Sequence, residues 1–182
     1  MDREARKTEY LRSFTEAFSE HGIDKTSIKK LAAAAGINEA SIYQYFVNKD
    51  EIILDCVKQY FQYLVEKLDP LIREESVSLE GRIREMIGVF LEAEGSTKFI
   101  IQVLANPIYG KLCEPAIQQF VEKIQQGAEL LSKQLNIPYE RVLPILYLLC
   151  SVTVSDKILN RSEVTTMQLR LLMSLFQREA AF

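Results

Sequence analysis

The sequence predicts an all-α protein of about nine helices, and three observations predict it. Apolar residues recur at i, i+3, i+4 and i+7 along most of the chain, the spacing that gathers them on one helix face. The apolar–polar alternation of a half-buried strand is nearly absent. Only 7 glycines and 5 prolines interrupt 182 residues, and with 48% apolar residues the chain can bury a substantial core.

The first helix spans about residues 4–21, with Tyr10, Phe14, Ala17 and Phe18 as its inner stripe and Gly22 as its stop. Arg3, Arg6 and Lys7 precede that stripe. Thr26 is a plausible N-cap for a second helix over Ser27–Ala35, whose inner face is Ile28, Leu31 and Ala32 and whose outer face carries Lys29 and Lys30. Gly36 can take the positive φ that turns the chain. Asn38 then caps a short, two-turn third helix. Ile42 and Phe46 share its inner face, while Ser41, Tyr43, Gln44, Tyr45 and Lys49 point outward. Such a polar, aromatic face suits a groove better than a core. Asn48 and Glu51 form a capping box that opens the fourth helix.

The fourth helix carries Ile53, Val57, Tyr60, Leu64 and Leu68, with a break expected at Asp69-Pro70. It is long enough to join two domains rigidly, so the expected division is 1–47 and 48–182. Ser78 caps a fifth helix with Ile83, Met86, Ile87 and Phe90, and Gly95-Ser96 ends the pattern. A sixth helix over about 97–105 stops before Asn106-Pro107, and Tyr109, Gly110 and Lys111 read as irregular. Pro115 fits the first turn of a seventh helix carrying Phe120, Ile124, Ala128, Leu131 and Leu135, closed by Asn136 and Pro138. The last two helices, about 139–160 and 163–179, are apolar nearly all round. A second subunit would cover them, so a homodimer through this pair is expected.

Charge and composition exclude several classes. Residues 1–47 hold seven acidic and seven basic side chains, so attraction for phosphate depends on local placement of Lys and Arg. Cys56, Cys113 and Cys150 lie far apart with no CxxC pair and read as buried, reduced thiols; no metal site or cofactor is expected. His21, the only histidine, reads as a helix C-terminal cation. Without GxSxG, HExxH or a glycine-rich phosphate loop, the chain is not expected to be an enzyme, and no catalytic residue is assigned. The charged N-terminus reads as no signal peptide, and the near-apolar run Val142–Val154 is too short to span a bilayer. A cytoplasmic protein is expected.

The segment Leu11–Ile52 resembles the tetracycline-repressor (TetR) family of bacterial transcription regulators. The likeness rests on Phe18, Gly22, Thr26-Ser27-Ile28, Leu31-Ala32, Ala35-Gly36-Ile37, Ser41-Ile42-Tyr43, Tyr45-Phe46 and Asn48-Lys49-Asp50. The rest of the chain is compatible with that family's helical effector and dimerisation domain. The resemblance implies a helix-turn-helix at about Ser27–Phe46, whose last helix enters the major groove of a palindromic operator. Thr26, Ser27 and Lys29 would approach the DNA backbone; Tyr43 would meet a phosphate or base edge, Lys49 a phosphate, and Tyr45 is a further DNA-contact candidate. Glu39, Ala40, Ser41 and Gln44 would face bases. Tyr45 stands where the family usually has histidine, and Phe14 where a small residue is commoner. The family further implies a repressor released by a small-molecule effector. Tyr60, Phe61, Phe90, Phe99, Tyr109 and Phe120 are the candidates to bind it, with Gln102, Asn106 and Gln118 as polar anchors, which leans towards an apolar or aromatic ligand.

Overall fold

The computed structural model describes residues 2–157 together with 167, 168, 170–172 and 174. Among them there is no strand. The helices run α1 Arg3–His21, α2 Ile28–Ala34, α3 Glu39–Ile42, α4 Lys49–Arg73, α5 Leu79–Glu92, α6 Glu94–Ala105, α7 Pro107–Leu135 and α8 Tyr139–Lys157. The described residues from 167 onward are helical as well. The expected last helix, 163–179, otherwise lies outside the described residues, as does the end of the eighth beyond Lys157. The chain divides into two units: residues 1–63 with 95–118, and residues 64–94 with 119–182.

The first unit is built on aromatic packing. Phe14 and Phe18 of α1 are fully buried. Phe14 meets the Phe46 ring edge-on at 5.8 Å, and Phe18 stacks on Phe99 of α6 at 5.5 Å. Each such side chain contributes about 2–3 kcal/mol by leaving water. Ile42, Ile52, Ile53 and Val57 complete the core around them, and α2 packs against both α1 and α3.

In the second unit α5 packs on α8, and Ala128, Leu131, Ile137, Val142 and Leu146 form one cluster. Arg82 is buried there, donating from Nη1 to the Ile72 carbonyl at 3.1 Å and to Gln134 Oε1 at 3.2 Å. A cation on the carbonyl end of α4 complements the negative pole of that helix. Asn136 adopts φ 54° and ends α7 as expected. Along α8, Val142, Ile145, Leu146 and Leu149 face inward, while Pro144, Tyr147, Leu148 and Ser151 form an exposed stripe at helical spacing.

Four boundary expectations are corrected. Asp69-Pro70 does not break α4: Pro70 sits in its last turn, where only one helical N–H is lost, and Arg73 bonds Asp69 at 2.7 and 3.1 Å across it. Gly95-Ser96 lies inside α6, because the only interruption is a single residue, Ala93. Tyr109–Lys111 are helical, since Asn106 caps α7 through Oδ1 to the N–H groups of Ile108 and Tyr109, at 3.0 and 3.2 Å, with Pro107 at the first position. Pro115 therefore lies in the interior of α7, not in its first turn.

All three cysteines are thiols, Cys56 and Cys113 buried and Cys150 half-buried. Burial pushes Cys56 up to about 12, and Cys113 and Cys150 up to about 11.

Gly36→Ala is expected to destabilise the protein by about 1 kcal/mol, because φ +66° strains any residue with a Cβ. Gly88→Ala, in the interior of α5 with nothing within 4 Å of the new methyl, should instead add about 0.5–1 kcal/mol. Urea unfolding of both variants measures the contrast.

Candidate nucleic-acid interface

Local caps set the ends of α2 and α3. Ser27 Oγ accepts from the Lys30 N–H at 3.3 Å, which makes Ser27, not Thr26, the cap of α2. At the other end, Ile37 N–H bonds the Ala32 carbonyl at 3.0 Å and Gly36 N–H the Ala33 carbonyl at 3.2 Å. That pair is a Schellman closure, with Gly36 in the left-handed region. Asn38 Oδ1 then accepts from the Ser41 N–H at 2.8 Å and from its hydroxyl at 3.0 Å.

The third helix is shorter than expected. Only Glu39–Ile42 is α-helical; beyond it Gln44 and Tyr45 bond three residues back, and Phe46 bonds the Ile42 carbonyl at 3.0 Å. The second turn has tightened because Asn48 already begins α4 two residues after Phe46. Asn48 Oδ1 accepts from Glu51 N–H at 2.9 Å, and the Glu51 carboxylate reaches back to the Val47 N–H, one residue before the position of a standard box.

The ten predicted contact residues divide into three groups. Ser27, Lys29, Glu39, Ala40, Tyr43 and Gln44 are exposed, Tyr43 at 56%. Ser41, Tyr45 and Lys49 are half-buried. Thr26 is fully buried, its hydroxyl donating to the Gly22 carbonyl at 2.7 Å, so its side chain holds the loop instead of facing outward. Tyr45 lies edge-on to Tyr10 at 5.3 Å with the Arg3 guanidinium 5.6 Å from its ring centre. Arg3 also donates to the Gln44 carbonyl at 2.9 Å. Nothing in the sequence singles out Arg3 for this role beyond its place before the α1 stripe. Lys49 donates to the Ile23 carbonyl at 2.6 Å, and burial lowers its pKa against the raising influence of Asp24 and Asp50.

The six aromatics expected to gather around a ligand are split. Tyr60, Phe61, Phe99 and Tyr109 belong to the first unit, Phe90 and Phe120 to the second. Phe99 is stacked on Phe18, and the Tyr60 hydroxyl shares a 3.3 Å hydrogen bond with Thr97. Burial first, then the charges of Asp50 and Asp24, hold the Tyr109 hydroxyl above its usual pKa. Of the six, Phe120 alone lines a groove of about 590 Å³ within the second unit. Its walls come from α4 and α7, including Leu68, Ile72, Ile124 and Leu130, with the bases Arg73, Lys123 and Lys133 and the acids Glu66, Asp69 and Glu129 also lining it. A Cβ at Gly127 would lie 2.8 Å from Ile72 Cδ1. Gln102 and Asn106 are committed to backbone groups, and Gln118 is exposed.

Residues 14–56 match the model for bacterial regulatory proteins of the tetR family. The match covers 43 of the 182 residues, so the likeness to this family is confined to the amino-terminal segment. Over 65 residues it is 29% identical to the fatty acid metabolism regulator protein of Bacillus subtilis, covering 36% of this chain and 34% of that one. Over 93 residues it is 28% identical to the biofilm operon icaADBC HTH-type negative transcriptional regulator IcaR of Staphylococcus epidermidis, covering 50% and 49%. The matches thus span a third to a half of these curated relatives. The chain also shares the fold of the Bacillus subtilis transcriptional regulator FadR crystallised with stearoyl-CoA, at 16% identity and a TM-score of 0.67, over 93% of this chain and 95% of that one. No described helix is long and apolar enough to cross a membrane.

Thr26→Val keeps the shape and removes the hydroxyl, leaving the Gly22 carbonyl without that donor. A stability loss of about 1–2 kcal/mol in urea unfolding is expected, with the salt dependence of DNA binding unchanged.

Proposed function

We propose that the chain is a sequence-specific, DNA-binding transcriptional regulator, a repressor released from its operator by a small-molecule effector. The observation that carries this reading is the exposed face of Glu39, Ala40, Tyr43 and Gln44, presented by a fixed turn inside the segment that matches the tetR family. Gln44 suits adenine and Glu39 suits cytosine as hydrogen-bond partners, while Tyr43 and Lys29 suit phosphate. Residues 1–47 are the reading head in this proposal, and 48–182 the effector and dimerisation domain. The negative regulator among the relatives supports repression.

The groove of the second unit is the better candidate for the effector than the six aromatics. Apolar walls suit a ligand with an apolar body, and the polar rim is charge-balanced, Arg73, Lys123 and Lys133 against Glu66, Asp69 and Glu129, with Arg73 already paired to Asp69. The relative crystallised with an acyl-CoA supports that direction. To move operator occupancy from near full to near empty, such a ligand must prefer the released conformer by about 5 kcal/mol. No catalytic step is assigned to the chain.

Electrophoretic mobility assays on duplexes selected from random sequence test the reading. A salt-sensitive complex is expected, weakened at least tenfold by Tyr43→Ala together with Gln44→Ala, which remove about 1–3 kcal/mol of contacts. Unchanged binding by that variant would sink the assignments on α3.

The exposed stripe Pro144, Tyr147, Leu148 and Ser151, with Met167 at 66% and Leu171 at 57% exposure, supports a homodimer through the carboxy-terminal helices. Sedimentation velocity should give a dimer for the native chain and a shift to monomer for Leu148→Glu with Leu171→Glu. A native monomer at micromolar concentration overturns the dimer.

A further inference from the structure

The loop between α1 and α2 is held by side chains from two other helices, and both act on the backbone of one residue, on the peptide groups before and after its Cα. Ile23 is buried. Its N–H donates to Oε1 of Gln102, on α6, at 3.1 Å. Its carbonyl accepts the ammonium of Lys49, at the start of α4, at 2.6 Å. Gln102 also donates from Nε2 to the Ser19 carbonyl near the end of α1, at 3.4 Å. One amide thus bridges the last turn of a helix and the first N–H after it. Three residues after Ile23, Thr26 bonds back to Gly22, and Ser27 then opens α2. The Ile23 backbone therefore fixes where the α2–α3 pair leaves α1.

The same contact bears on Lys49. Family resemblance gives this lysine a phosphate, yet the half-buried ammonium is aimed inward at a carbonyl. An ammonium bonded to a backbone carbonyl in a partly dry site is held there by the cost of leaving that acceptor bare.

We propose that Gln102 is a positioning residue for DNA recognition, and that Lys49 serves the Ile23 backbone from the other side instead of a DNA phosphate. The two side chains set the angle at which the reading pair departs from α1. Through Gln102, helix α6 governs operator affinity without touching DNA. This rests on the DNA-binding reading above.

The test compares Gln102→Leu, Gln102→Glu, Lys49→Met and the Gln102→Leu/Lys49→Met double variant with the native chain. Affinity is measured on the selected duplex and on a scrambled one, across a salt series. Gln102→Leu should weaken the selected duplex about tenfold, the effect of one buried N–H left bare, and leave the scrambled one unchanged. Gln102→Glu keeps the acceptor and should restore most of the loss. Lys49→Met should lower affinity with an unchanged salt slope, and the double variant should lose little more than either single one. A slope reduced by about one in Lys49→Met assigns that lysine to a phosphate and overturns its part. Native affinity in Gln102→Leu, or additive losses in the double variant, overturns the part of Gln102. Amide exchange at Ile23, measured without DNA, should quicken in Gln102→Leu, and unchanged exchange overturns the clamp whatever the DNA data. Absence of any native complex removes the DNA-binding reading alone, because the exchange result does not depend on it.

Discussion

A helix of one turn cannot hold itself. Its few hydrogen bonds do not offset the entropy of fixing its backbone. Yet α3, which spans only Glu39–Ile42, together with Tyr43 and Gln44 just beyond it, carries the residues proposed to read bases. Its shape is imposed from outside, by the Schellman closure at Gly36, the Asn38 cap, and Ile42 and Phe46 sunk in the core. Phe14 against Phe46 is the keystone of that arrangement. It ties the exit of α3 to the middle of α1, and a fully buried aromatic ring tolerates little movement. The outward residues are ordered because the inward ones are.

What was legible in the sequence was what is decided over three or four residues. Gly36, Asn38, Asn48 and Glu51 act on backbone groups next to them, and each does in the structure what its residue type predicts. The stripes of α1 and α4 were legible for the same reason. Pro70 and Gly95 do not break the pattern and Pro115 does not start a helix, because α4, α6 and α7 each tolerate a single missing N–H or Cβ within a longer run of helical hydrogen bonds. Thr26 and Ser27 are adjacent and both plausible caps, and only the Gly22 carbonyl decides between them. The aromatics were the least legible. A buried phenylalanine and a ligand-lining one have the same spacing, and their division between two units depends on contacts far apart in sequence.

Neutrality of the head is a further constraint that the structure refines. Seven acids balance seven bases in residues 1–47, and several of those bases are committed. Lys7 pairs with Asp55 of α4 at 2.7 Å, and Lys30 bonds the Lys25 carbonyl at 2.9 Å. Arg3 lies over Tyr45 and bonds the Gln44 carbonyl, which brings a cation beside the reading residues without any change in net charge. In the proposed function, attraction for DNA comes from a few placed cations, and discrimination by the α3 region weighs more heavily against it than in a strongly basic head.

The thiols carry a consequence of their own. Oxidants, electrophiles and nitrosating agents react with thiolate, and Cys56, Cys113 and Cys150 are all held as neutral thiols by their burial. Covalent marking of a thiol is thereby disfavoured at all three positions. In the proposed function the effector then acts by reversible contact, so that the response tracks its present concentration and leaves no record in a cysteine.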